Sequence, residues 1–108
     1  MALFEHVVLL KQDLSSTDLE TEIKNHEDTI SELNGNIISK ESWGLRNLAY
    51  PIKNNKKAFY ELMNIDLPNE NIKKINEKLN LNENIIRYIT VRVKTFDDDP
   101  SPMVKGNE

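Results

Sequence analysis

The chain has 108 residues and a formal net charge of −4, from 14 Lys and Arg against 18 Asp and Glu. This length fits one domain with a single modest core, and the absence of cysteine excludes a disulfide framework and a thiolate metal site. The apolar run Val7 to Leu10 is too short to span a bilayer, and the N-terminus lacks the basic flank of a signal peptide. We therefore expect a cytoplasmic protein.

The charge is unevenly distributed along the chain. Residues 1–35 carry two basic and eight acidic side chains, residues 36–60 carry five and one, and residues 61–94 carry six and five. A negative protein binds nucleic acid poorly as a whole, because Lys and Arg supply most phosphate affinity. The positive middle segment nevertheless permits one RNA-facing surface. The alternative reading is that these lysines only keep a hairpin soluble.

The first third of the chain predicts a strand followed by a helix. The apolar segment Leu3 to Leu10 reads as a central strand. Two overlapping capping boxes, Ser15 with Asp18 and Thr17 with Glu20, predict a helix start. Gly35 is the expected left-handed residue at its end. The buried stripe of this helix comprises Leu19, Ile23, His26, Ile30 and Leu33.

The middle of the chain predicts a long hairpin. Asn36 to Ile52 reads as an edge strand, because Pro51 cannot donate to a ladder, and Gly44 indicates a bulge or a close backbone approach. Residues 53–57 are the expected turn, and Ala58 to Leu67 the returning strand.

The last third predicts a second helix, a fourth strand and a tail. The helix begins at residues 68–70 with Asn69 as its cap and buries Ile72, Ile75 and Leu79. Residues 85–94 form the strand, whose buried face stays open between two sets: Ile85, Ile89, Val91 and Val93, or Ile86 and Tyr88. Residues 97–108 are too polar to offset the cost of ordering, so we expect a domain over 1–96 and a flexible acidic tail over 97–108.

The order βαββαβ predicts an α+β, ferredoxin-like fold, with a four-stranded antiparallel sheet and both helices on one face. The other face stays open for a ligand, RNA or another protein. An RNA-recognition domain shares this order, but residues 57–62 lack its glycine, and Glu61 would place negative charge beside stacked bases. We therefore expect Phe59 and Tyr60 to pack rather than to stack on RNA.

No catalytic or cofactor site is expected. His6 and His26 are the only histidines, and neither has a carboxylate or cysteine at metal-site spacing. We expect His26 to be a packed or boundary histidine. No nucleophile elbow, P-loop or dinucleotide fingerprint occurs, and Asp97 to Asp99 reads as a solubilising run. These absences predict no enzyme, metal, cofactor or small-molecule substrate.

Three segments resemble the bacterial ribosomal small-subunit protein six family. They are Phe4-Glu5, the ten residues from Trp43 to Ile52 (WGLRNLAYPI), and Ile85 to Tyr88. The similarity runs over roughly residues 3–95, and the family's first strand usually opens with Tyr where this chain has Phe4. The resemblance implies a structural protein of the small ribosomal subunit that binds 16S ribosomal RNA together with ribosomal protein eighteen.

The matching motif and the basic segment around it supply the candidate site residues. The RNA-binding set is Arg46, Lys53, Lys56, Lys57, Arg87, Arg92 and Lys94. The partner-binding set is Trp43, Leu45 and Tyr50, although about half of such groups could merely complete the core. The alternative function is a free-standing ferredoxin-like module that regulates or dimerises through its open sheet.

Overall fold

The computed structural model describes residues 2–94, and the predicted tail lies outside them. Its elements are β1 (Ala2–Lys11), α1 (Ser16–Glu32), β2 (Asn36–Ile52), β3 (Asn55–Leu67), a 3₁₀ turn (Asn69–Asn71), α2 (Ile72–Asn80) and β4 (Ile85–Val93). The strands form one antiparallel sheet in the order β2-β3-β1-β4. The predicted ferredoxin-like arrangement is confirmed, with β2 and β4 at the edges.

Both helices pack on one face of the sheet, each through a single apolar stripe, as right-handed crossovers between the strands require. The main core joins α1 and α2, through Ile30, Ile75 and Leu79, to alternate residues of the central strands. Side chains of a strand alternate between faces, so Phe4 and Val8 lie on the helix side while Val7 and Leu9 lie on the other. This alternation decides which functional side chains share a face.

The start of α1 agrees with one of its two predicted capping boxes. The Ser15 hydroxyl accepts a hydrogen bond from the Asp18 backbone N–H at 3.1 Å, which makes Ser15 the N-cap. Thr17 instead lies inside the helix, where its backbone carbonyl accepts a hydrogen bond from the Thr21 hydroxyl at 3.0 Å.

The end of α1 corrects the prediction for Gly35. The left-handed residue is Asn34, with φ 64°. Gly35 is needed for space, since a Cβ there would lie 2.7 Å from Ile30 Cγ2 and 2.7 Å from Leu67 Cδ1. Such contacts are closer than packed carbon atoms tolerate, so the glycine permits close packing of the helix end on β3.

The predicted cap of the second helix is also wrong. Asn69 begins a 3₁₀ turn rather than capping a helix through its side chain. Asn71 lies buried at the junction with α2, and its Nδ2 donates to the Leu33 carbonyl at 2.8 Å. The Asn71 side chain thus links the start of α2 to the end of α1, because it pairs with a backbone carbonyl that has no partner within α1.

A bulge resolves the open question about β4. The pairing of β1 with β4 shifts between Leu9 and Leu10, which face Arg87 and Ile85, so Ile86 has no direct partner. Ile85 consequently packs in the main core, and Ile86 and Ile89 pack on the other face. Neither predicted set was complete, because the inserted residue changes the alternation.

Candidate functional site

The sheet face opposite the helices carries its own apolar cluster. Its buried members are Val7, Leu9, Ala58, Leu62 and Ile86, flanked by half-buried Trp43, Leu48, Ile52, Tyr60 and Ile89. We call these ten residues the open-face cluster. All of them belong to strands, and those from the distal half of β2, Trp43, Leu48 and Ile52, pack against the buried members.

Trp43 is held in a defined position on this face. Its ring stacks on Tyr60, with centroids 5.8 Å apart and planes 15° apart, and its indole N–H donates to Glu41 Oε2 at 3.1 Å. The register of β2 shifts beside Gly44, which has φ +74°, so the predicted bulge is confirmed. Arg46 Nε closes this bulge by donating to the Trp43 carbonyl at 3.1 Å.

A cavity of about 200 Å³ opens between members of the open-face cluster. It is lined by Leu9, Leu48, Ala49, Tyr50, Ile52, Tyr60, Arg87 and Ile89. Pockets for drug-sized molecules usually measure roughly 300–1,000 Å³. This cavity is smaller than that range.

The structure separates the three predicted partner-binding residues. Trp43 belongs to the open-face cluster, and Tyr50, which is 62% exposed, lines the cavity. Leu45 pairs with Phe59, whose side chain packs on the main core, so alternation places Leu45 on the opposite side of the sheet. Trp43 and Tyr50 alone share one surface.

The predicted RNA-binding residues fall at two ends of the sheet. Arg46, Lys53, Lys56 and Lys57 are exposed on the β2-β3 hairpin, and Arg87 is exposed on β4, where it lines the cavity with residues of β2. We call these five residues the basic end. Arg92 lies five residues beyond Arg87 on β4, about 17 Å along the strand. Arg92 pairs with Phe4, so it lies on the helix side, and Lys94 directly follows β4.

The basic end is presented on a short and well-anchored turn. The turn has two residues rather than the predicted five, with φ 48° at Lys53 and 66° at Asn54. Asn55 fixes it, because its Nδ2 donates to the Lys53 carbonyl at 3.0 Å and its Oδ1 accepts from the Gln12 backbone N–H at 3.1 Å. Lys56 and Lys57 consequently project from a strand.

Phe59 and Tyr60 both pack, as predicted, but on different faces. Phe59 packs against the main core and Tyr60 in the open-face cluster. Glu61 is buried on the helix side, where it accepts from the Ser42 hydroxyl at 2.6 Å. Burial raises the pKa of the Glu61 carboxyl. Its charge therefore does not lie beside the open face, contrary to the sequence-based argument.

Between the sheet and α1, His6 and His26 form a pair that the spacing of the two residues in the sequence did not indicate. Their Nε2 atoms lie 2.9 Å apart, and His6 Nδ1 lies 2.7 Å from the Thr90 hydroxyl. Burial lowers the pKa of His6 to about 3 and that of His26 to about 4. His26 is thus the packed histidine that was expected, and its partner is the second histidine.

Over residues 2–94, no three or more His, Cys, Asp and Glu side chains converge as metal ligands would. Within the same residues, no helix combines the length and apolarity needed to cross a membrane. The fold and this surface define a small α+β binding protein, in which an apolar sheet face adjoins a basic hairpin.

Comparison with known proteins identifies the family. The family model described as ribosomal protein S6 matches residues 3–92. Small ribosomal subunit protein bS6 of Zymomonas mobilis is 42% identical over 108 residues, covering 100% of this chain and 87% of the relative. The bS6 protein of Hyphomonas neptunium is 41% identical, covering 100% and 96%. The chain therefore belongs to the ribosomal protein S6 family.

A solved structure supports the same fold. The crystal structure of 30S ribosomal protein S6 from Thermotoga maritima matches with a TM-score of 0.82 and 22% identity, covering 85% of this chain and 87% of that one. The family consists of structural, non-enzymatic proteins of the bacterial small ribosomal subunit, a cytoplasmic particle. Membership supports the predicted ribosomal role over a free-standing regulatory module.

Proposed function

We propose that this chain binds 16S ribosomal RNA together with ribosomal protein eighteen of the small subunit. The open-face cluster receives the protein partner, and the basic end contacts RNA phosphates. The observation that carries this proposal is the contiguity of the two surfaces, because Arg87 of the basic end also lines the apolar cavity. A partner bound to the open-face cluster would lie next to the basic end, so both could contact the same RNA.

The partner-binding half of the proposal depends on aromatic groups around the cavity. Trp43 and Tyr50 offer large, positioned surfaces on one side, and aromatic anchors beside a pocket commonly dominate interface energetics. Leu45 is 44% exposed on the other side of β2. We assign it a peripheral contact with the same partner, reached around the sheet edge.

The RNA-binding half follows from charge. The five cations of the basic end are exposed, and phosphate contacts position a protein without reading bases. Arg92 and Lys94 supply a second, separate contact at the far end of β4. Because the whole chain carries −4, its own affinity for RNA is expected to be weak. A basic partner would supply the missing positive charge.

A filter-binding assay with a 16S ribosomal RNA fragment tests the proposal. The chain alone should bind weakly, and the chain with ribosomal protein eighteen should bind at least about tenfold more tightly than either protein. Replacing Lys56 and Lys57 by glutamine should weaken the RNA affinity of the two proteins together. Replacing Lys73 and Lys74, the exposed α2 control pair, by glutamine should leave that affinity unchanged. Equal affinity with and without the partner contradicts the proposal.

A further inference from the structure

The open face is electrically divided along its strands. Val7 and Leu9 of β1 lie in the open-face cluster, so alternation places Glu5 on the same face. Leu62 of β3 likewise places Asp66 there. Glu5 lies four residues before Leu9, the partner of Arg87, which is about 14 Å along the strand. Glu5 and Asp66, which we call the acidic end, therefore lie at the opposite end of one face from the basic end.

The carboxylates of the acidic end are close neighbours. Glu5 pairs directly with Asn64, and Asp66 with Leu3, which makes Glu5 and Asp66 a diagonal pair. Diagonal side chains on adjacent antiparallel strands lie about 7–8 Å apart. Glu41, paired with Leu62, adds a third carboxylate at the border of the apolar cluster. One guanidinium can lie between Glu5 and Asp66.

The acidic end has acceptors without donors. Among the described residues, Asn64 Oδ1 and Asp66 Oδ1 are buried atoms with no hydrogen-bond partner. The amide nitrogen of Asn64 donates to the Ser39 hydroxyl rather than to Asp66 Oδ1. Leaving a buried acceptor unpaired is unfavourable. Both oxygens lie beneath the surface, so a partner's arginine or lysine, with five or three N–H donors, would pair with the half-buried Glu5 carboxylate beside them.

Neighbouring cations of this chain do not serve the acidic end. In the part of the chain that the structure describes, the one ion pair joins Lys40 Nζ to Glu27 Oε1 at 2.6 Å. Glu27 lies on α1, so this pair is on the helix side. Arg92 is on the helix side as well, opposite Phe4. Within residues 2–94, Glu5 and Asp66 therefore have no ion-pair partner, which leaves them open to a basic group of another molecule.

From this division we infer that the protein partner lies on the open face in one direction, with its lysine and arginine side chains over Glu5 and Asp66. Its apolar side chains cover the open-face cluster, and its end nearest the hairpin leaves the basic end free for RNA phosphates. This inference rests on the proposed function, and adds to it the orientation of the partner. The reverse orientation would bring basic groups against Arg46 and Arg87, and like charges in contact are unfavourable.

The test measures the affinity of the full chain for ribosomal protein eighteen by titration calorimetry at low and high salt. The acid-end variant carries Glu5→Gln with Asp66→Asn. The matched control carries Glu20→Gln with Asp28→Asn, two exposed carboxylates of α1, and thus makes the same change in net charge. Thermal unfolding of each variant shows whether it is folded.

The acid-end variant should raise the Kd about tenfold or more at low salt, and the difference should shrink at high salt. The control should bind like the wild type. Equal losses in both variants, or unchanged affinity of a folded acid-end variant, would overturn the inferred orientation and leave the proposed function standing. Absence of binding by the wild type would instead overturn the proposed function.

A second copy of this chain is the competing occupant, because a divided face is self-complementary when two copies meet head to tail. Sedimentation equilibrium of the chain alone decides this. A monomer supports the inference. A dimer that the acid-end variant dissociates and the α1 control does not would overturn it.

Discussion

The paired imidazoles of His6 and His26 should make the free energy of unfolding fall as the pH drops below 6.5. Burial lowers the pKa of both rings, to about 3 for His6 and about 4 for His26, from 6.5. A depressed histidine pKa means that the unfolded chain binds protons more readily. The stability contributed is fully present above pH 6.5 and is lost as pH falls towards the folded-state values.

The geometry explains why protonation opposes folding. The 2.9 Å contact between the two Nε2 atoms requires one nitrogen to donate and the other to accept, and two protonated rings would present like charges 5.0 Å apart between centroids. One pKa unit corresponds to about 1.4 kcal/mol. At pH 4.5, two units below 6.5, the pair should cost at most about 5 kcal/mol of stability.

The assay is urea unfolding of the wild type and of the double variant His6→Gln, His26→Gln between pH 7 and 4.5. Glutamine can still donate and accept but does not titrate. General carboxylate titration affects both proteins, so the difference between their curves isolates the histidines. The wild type should lose about 3–5 kcal/mol more than the variant across this range. Parallel curves would refute the reasoning.

Three further substitutions test other parts of the structure. Gly35→Ala should destabilise the fold by about 1–3 kcal/mol in denaturant unfolding, since its Cβ would lie 2.7 Å from Ile30 Cγ2; an unchanged midpoint would contradict the close approach. Glu61→Gln should raise the melting temperature at pH 7, because burial raises the pKa of this carboxyl and the neutral side chain can keep the bond from Ser42; a lowered melting temperature would argue against a burial cost. Lys56→Gln with Lys57→Gln should reduce the slope of log affinity against log salt by about two for RNA binding by the pair, whereas the α2 control pair should leave the slope unchanged.

Most of the secondary structure was predictable from the sequence because it depends on residues close together in the chain. The strand Asn36–Ile52 agrees with its predicted bounds, since Gly35 precedes it and the basic turn follows. The Ser15 cap also lies next to the groups that it satisfies. Turn length and caps were less predictable where several asparagines compete. At the hairpin Asn54 adopts the left-handed conformation while Asn55 binds Gln12, and nothing local distinguishes the two.

The candidate site was predictable in part. Charge counting located the basic hairpin, but Arg92 and Leu45 were grouped with residues from which the bulges and alternation of the strands separate them. The division of the open face depends on which residues lie opposite one another across β1 and β3. Glu5 and Asp66 are 61 residues apart in the chain, and their proximity follows only from the register.

Coupling between partner and RNA is the most direct test of the proposed function. The measurement is titration calorimetry of ribosomal protein eighteen into this chain, with and without a saturating 16S ribosomal RNA fragment. The RNA should tighten the protein contact at least about tenfold, by the same factor with which the protein tightens RNA binding, because linkage is reciprocal. A partner affinity that is the same with and without RNA would contradict the joint surface.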